Sequence, residues 1–281
     1  MKRLPIGIED FKELIDKDCY YVDKTSFITD IINEKVALYT RPRRFGKTLN
    51  MSMLYYFFSM KQKDNAYLFN DMDIVNHTDS LQYQNQYPVI FITLKDMKKH
   101  TFENQKAMFA ILIQDIVRKN QELLESEELN TFDKEQLIAY YRRSQSDVDL
   151  QNALKFLCGC LKQHYHKDVI LLIDEYDVPL QSAYLKGYYD EMADFLSGMF
   201  SAALKTNDAL EKGILTGCLR IAKESIFTGL NNFSVYSISE DQSSTSFGFT
   251  PKETITLLEH YDLKSYEQTI KEWYDGYNFG E

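Results

Sequence analysis

The chain has 281 residues, 44% of them hydrophobic and 26% charged, which suits a globular core in one large domain or one domain with a small addition. A formal net charge of −10 repels polyanions, which excludes a broad DNA-tracking surface and attraction to an anionic membrane. The four cysteines, Cys19, Cys158, Cys160 and Cys218, lack paired metal spacing and are expected to be reduced thiols of a cytoplasmic protein.

In chain order, 1-MKRLPIGIEDFK-12 has a basic start but no apolar core, so it does not read as a signal peptide. No run approaches the ~18 apolar residues that span a bilayer. Apolar runs of strand length then recur: 36-VALYT-40, 88-PVIFITL-94, 168-DVILLID-174, 213-GILTG-217 and 234-SVYSIS-239. Their near-continuous Val, Ile and Leu content is that of strands covered on both faces. Between them the spacing predicts helices near 47–60, 104–124, 134–144, 149–164 and 188–206. Alternating strands and helices predict an α/β domain with a mostly parallel sheet. In the fourth helix, Cys158 and Cys160 point about 200° apart, which disfavours a zinc site with His164 and His166. At the C-terminal end, Thr250-Pro251-x-Glu253 opens a helix as an N-cap with proline at its first position, and 264–277 reads as another. Residues 1–244 are therefore expected to form the core, with a helical insertion near 102–146. Residues 245–281 are expected to form a small helical appendage, part of a longer protein.

The stretch 36-VALYTRPRRFGKTLNMSML-54 runs from strand to Gly-Lys-Thr to helix. That is the pattern of a phosphate-binding loop, in which backbone amides and a helix N-terminus converge on an anion. Gly46 would allow close approach, Lys47 would reach the β- and γ-phosphates, and the Thr48 hydroxyl would ligate Mg²⁺. Arg41 stands where such a loop normally opens with glycine. A chance Gly-Lys-Thr in a basic surface loop is the competing reading.

A second motif, 169-VILLIDEYD-177, ends an apolar strand in adjacent carboxylates. At the carboxyl end of a strand in an α/β sheet, Asp174 would support the metal and Glu175 would polarise an attacking water. The competing reading has Asp-Glu merely ending a strand.

These motifs, with 4-LPIGIEDFKEL-14, 20-YYVDKTSFI-28, 213-GILTGCLRIAKESIFTGLNN-232, 247-FGFTPKE-253 and 271-KEWYDGYNFG-280, resemble the bacterial AAA-ATPase-like family. Longer members of that family usually carry a PD-(D/E)XK nuclease-like domain after the ATPase part. The resemblance implies a P-loop NTPase with a five-stranded sheet in the order 5-1-4-3-2, flanked by helices. It also implies ATP and Mg²⁺ as cofactors, with Arg43, Arg44, Phe45, Gly46, Lys47, Thr48 and Leu49 in the loop and helix that hold the nucleotide. In such folds Thr216 would sense the γ-phosphate and Arg220 would act as an arginine finger, in cis or across a subunit interface. Tyr21, Asp23 and Lys24 lie before the first strand, where related ATPases pack against adenine. Asp23 capping the helix through 26–33, and Arg220 pairing with Glu224, are the alternatives for these residues.

The expected activity is Mg²⁺-dependent ATP hydrolysis driving conformational change, with a homo-oligomer or another protein as partner. The alternative is a nucleotide-gated interaction module with little turnover. A small-molecule kinase is disfavoured because a water-activating base would waste its ATP. No strand-borne Asp followed by Glu-x-Lys occurs after residue 240, so contact with nucleic acid would come only through a domain beyond residue 281.

Overall fold

The computed structural model describes residues 1–219, 226–227 and 233–274. Five strands form one sheet: β1 (Val36–Thr40), β2 (Val89–Thr93), β3 (Val169–Asp174), β4 (Leu210–Gly217) and β5 (Phe233–Tyr236). All pairs are parallel and the order is β2-β3-β4-β1-β5, which is the expected 5-1-4-3-2 read from the other edge. β1 is therefore internal, and the loop after it opens at the sheet's carboxyl edge between the ends of β4 and β5.

Strand alternation divides the core in two. Val36, Leu38, Val169, Leu171, Ile173 and Leu215 face one helical layer. That layer is built by α5 (Phe102–Lys119), α6 (Thr131–Arg142), α7 (Asp147–Tyr165), α8 (Val178–Lys186) and α9 (Tyr189–Phe200). Ala37, Tyr39, Ile170, Leu172 and Ile214 face the other, built by α1 (Phe11–Asp16), α2 (Phe27–Ile32) and α3 (Lys47–Phe58). A short α4 (Thr78–Leu81) precedes β2. Because α3 lies between the sheet and α1, apolar residues occupy nearly all its faces, and Met51, Met53, Leu54, Phe57 and Phe58 are all buried.

Local chemistry explains most boundaries. α7 starts at a capping box, Ser146 with Asp149. α10 (Pro251–His260) starts at another, Thr250 with Glu253, with proline in its first turn as the sequence predicts. α11 (Glu267–Tyr274) follows and buries no side chain.

Three differences from the sequence reading have physical causes. The helix read over 188–206 ends as an α-helix at Phe200 and continues as a π turn over Ser201–Lys205. This drops Leu204 onto Gly213, where a Cβ would come within 2.6 Å of its Cδ2 atom. β4 starts three residues earlier than read, because the charge of Lys212 disguises a buried strand position. Its amine donates to the carbonyls of Ile32 (2.6 Å) and Glu34 (2.9 Å). β5 stops at Tyr236 because the Arg41 guanidinium takes the carbonyls of Tyr236 and Ser237 at 2.8 and 2.9 Å.

In the interval read as an insertion, Phe109, Ile113, Ile116 and Val117 of α5 share the core of β2 and β3. Residues 245–261 likewise lie against the N-terminal segment. Lys24 bonds Glu253 at 2.6 and 2.7 Å, and Tyr261 donates to the Lys2 carbonyl at 2.6 Å.

Candidate functional site

The loop over 41–46 turns through two left-handed residues, Arg44 at φ 69° and Gly46 at φ 77°. For Arg44 that conformation costs about 1 kcal/mol, and for glycine it is free. Gly46 is also the N-cap of α3, so the unpaired first amides of that helix open onto the loop. Nothing lies within 4 Å of where a Cβ at Gly46 would project.

Lys47, the first residue of α3, is only 5% exposed. Its amine donates to the carbonyls of Arg41 (3.0 Å) and Pro42 (2.9 Å) and lies 3.4 Å from the Cys218 sulfur. The carbonyls hold the ammonium in place without neutralising its charge.

The Thr48 hydroxyl donates to Asp174 Oδ2 at 2.7 Å. Thr216 donates to Asp174 Oδ1 at 2.5 Å, and Thr93 lies 3.4 Å from Oδ2. Three hydroxyls, from α3, β4 and β2, thus converge on one fully buried carboxylate and offset its desolvation. Sequence separation hides this cluster. Parallel pairing creates it, because Thr93 stands opposite Asp174 and β4 runs alongside β3.

Glu175 leaves the strand at φ 55°, a strained backbone that turns it out of the sheet. Burial first, and the neighbouring Asp174 second, hold its carboxyl above the usual carboxylate range, while Lys47 and Lys98 pull the other way. Behind it, Asp177 is fully buried and its Oδ2 accepts from the amides of Cys218 (3.1 Å) and Leu219 (2.9 Å). Tyr176 donates to the Leu219 carbonyl at 2.7 Å. Its ring lies so close to Gly217 that a Cβ there would meet it at 2.5 Å, which is why the strand must end in glycine.

Of the remaining predicted residues, some stay on the loop and the start of α3 and others lie before β1. Arg43 and Arg44 are exposed on the loop, Phe45 is half-buried, and Leu49 packs at the edge of the core between the sheet and α1–α3. Tyr21 packs edge-on to Phe11 at 5.4 Å, and its hydroxyl accepts from the Lys24 amide at 3.2 Å. Asp23 accepts from the Thr25 amide (2.8 Å), the Thr25 hydroxyl (2.7 Å) and the Asp73 amide (2.6 Å). It brackets two local segments, and Ser26 rather than Asp23 holds the N-cap position of α2. Arg220 lies outside the described residues.

Sequence reasoning missed Thr93, Asp177 and Cys218 as members of the site. Asp177 had a signal, as the third acid of Ile-Asp-Glu-Tyr-Asp; Thr93 had only its place at the end of a strand, and Cys218 had none. Two concavities of about 300 and 570 Å³ lie along α7 and share Lys155, Gly159 and Gln163, but no residue of the 41–48 stretch lines either. Thr48 and Asp174 are hard oxygen donors, the set that Mg²⁺ prefers, and the helix N-terminus at Gly46 with the Lys47 amine beside it fits a phosphate group. Among the described residues no helix is long and apolar enough to cross a membrane.

Fold and site define an α/β protein in which a strand–loop–helix junction ending in Gly-Lys-Thr meets the carboxylate at the end of a neighbouring strand. The profile of the family described as "Predicted AAA-ATPase" matches residues 5–227, and the chain belongs to this AAA-ATPase-like family. It is also similar to a protein of Azotobacter chroococcum mcd 1 described as "Uncharacterized protein in vnfD 5'region", with 28% identity over 287 residues. The alignment covers 99% of this chain and 49% of that protein, so the chain spans about half the length of this relative. No solved structure matches the chain.

Proposed function

We propose that this chain is a P-loop NTPase module that binds ATP with Mg²⁺ and hydrolyses it. The family description supports the reading. The observation that carries it is the 2.7 Å hydrogen bond between the Thr48 hydroxyl and Asp174 Oδ2, which joins the loop–helix junction to the strand-end acid. Chance motifs on unrelated surfaces would not meet in this way.

Lys47 contributes a fixed positive charge for the β- and γ-phosphates. Thr48 and Asp174 would hold the metal, with Thr216 and Thr93 orienting the Asp174 carboxylate. When bound, Mg²⁺ would neutralise phosphate charge that builds up as the terminal P–O bond breaks. Glu175 is the base that takes the proton from the attacking water, because its left-handed backbone turns it out of the sheet beside the site. Its raised pKa keeps it closer to neutral pH than an ordinary carboxylate, which improves a general base. Arg43 and Arg44, exposed on the loop, add positive potential at its mouth.

Two variants test these roles with phosphate release and fluorescent-nucleotide binding. Lys47→Ala should lose nucleotide binding. Glu175→Gln should keep the wild-type affinity and lose about a hundredfold or more in turnover, the usual worth of a general base. Undiminished hydrolysis by Glu175→Gln would remove that residue from the role, and wild-type affinity in Lys47→Ala would remove the site.

A further inference from the structure

Arg41 does not point toward the site. It is fully buried, with its guanidinium directed across the sheet edge into the segment that follows β5. It donates to the carbonyls of Tyr236 (2.8 Å), Ser237 (2.9 Å) and Ser243 (3.3 Å), and to its neighbour Thr40 (3.0 Å). Its guanidinium carbon sits 5.0 Å from the centre of the Phe247 ring. Burial brings its pKa down to about 10, which leaves it charged at neutral pH.

The same segment is tied to the loop and its helix at further points. The Gly248 amide donates to the Phe45 carbonyl at 3.1 Å, and the Phe45 ring lies where a Cβ on Gly248 would come within 2.6 Å. Asn50 of α3 donates to the Ser246 carbonyl at 2.8 Å. Phe247 packs on Phe27 (5.0 Å) and Tyr39 (5.8 Å). Two residues after Gly248 comes Thr250, the N-cap of α10.

We propose that Arg41 is a positioning residue that locks the 41–46 loop to residues 236–248, so that the loop and the start of α10 shift together. A glycine at 41 would leave three partly or fully buried carbonyls of the 236–243 stretch without this donor, which costs stability. Lysine keeps the charge but lacks the planar fork that reaches carbonyls of separate residues at once. The basic residue at the position where such loops usually carry glycine therefore links the loop to the C-terminal helices. The family match ends at residue 227, so the far side of this link is built by sequence beyond it. If the ATPase reading holds, nucleotide bound at the loop is thereby signalled to α10; the mechanical link itself does not depend on that reading.

Amide hydrogen exchange on the full chain, read by mass spectrometry, tests the link. In the ligand-free protein, Arg41→Lys should speed exchange at least tenfold in both 42–47 and 243–250, with 169–174 in β3 unchanged. Gly248→Ala, which leaves Arg41 intact, should loosen the same two segments together. General destabilisation would instead raise exchange in β3 as well. Loosening of one segment alone, β3 rising with the others, or both segments staying within twofold of wild type would overturn the proposal. With ATP and Mg²⁺ added, exchange in 243–250 of the wild type should slow at least tenfold, and in Arg41→Lys by less than twofold at matched occupancy. If the wild type binds no nucleotide, the ATPase reading fails, and the ligand-free comparison still decides the link.

Discussion

Asp174 and Glu175 are adjacent acids in opposite surroundings. Asp174 is buried, but three threonine hydroxyls surround it. Glu175 is half-buried, beside another carboxylate, and its pKa is raised from the ordinary 4.5. A carboxyl whose folded-state pKa lies above its unfolded value holds its proton more tightly in the folded chain. It therefore supports the fold below pH 4.5 and withdraws that support as pH rises toward the shifted value. Glu175→Gln removes the penalty, so the variant should gain more melting temperature over wild type at pH 8 than at pH 4. An equal gain at both, by thermal denaturation, would mean that the acid is not perturbed. Adjacent acids with divergent environments are a common arrangement where one orients and the other moves protons. The pair was legible in the sequence as Asp-Glu after an apolar strand. Thr48 and Thr216 were expected at the site, but their meeting with Thr93 on one carboxylate was not legible, because the three come from distant elements.

At the scale of elements, the start of α10 is held to the N-terminal segment by a concentrated polar contact. Lys24, 8% exposed, meets both oxygens of Glu253, 26% exposed, and also donates to the Thr245 carbonyl at 2.6 Å. Glu253 in turn accepts from the Thr250 amide at 2.7 Å, closing the capping box of α10. Removing the lysine leaves a largely buried acid and a carbonyl with a lost donor, a class of change that costs about 3 kcal/mol. Lys24→Ala should lower the urea midpoint accordingly. Lys24→Ala with Glu253→Ala should cost less than the two single changes added together, since neither orphaned charge remains. Additive losses would show that the pair is not coupled. The sequence marked Thr250-Pro251-x-Glu253 as a helix start, and Lys24 only as a possible neighbour of a nucleotide. A capping residue that also forms a long-range ion pair looks, in one dimension, like a cap and nothing more.

For the whole molecule, the sheet brings the β1 loop, the β3 acids and the end of β4 to one edge, so a ligand there would bind only the folded chain. If ATP with Mg²⁺ binds as proposed, a concentration 100 times the dissociation constant should stabilise the fold by about 2.7 kcal/mol. The melting temperature should rise with ATP and Mg²⁺, rise less with ATP plus chelator, and stay put in Lys47→Ala. An equal rise in Lys47→Ala would place the ligand elsewhere.

The sequence alone determined the strands, the parallel α/β class and the Gly-Lys-Thr and Asp-Glu motifs, because buried strands, caps and loop glycines leave local residue patterns. Family resemblance supplied the strand order, and the sheet has it. Tertiary structure alone decided what the side chains meet. It turned Arg41 from an oddity in a loop into a bracket across the sheet edge, and it set Asp23 as an acceptor for both Thr25 and the distant Asp73 amide. It also gathered Thr48, Thr93 and Thr216 on one carboxylate. The physical reason is that a hydrogen bond depends on distance and direction in space, and strand pairing sets both between residues that sequence keeps far apart.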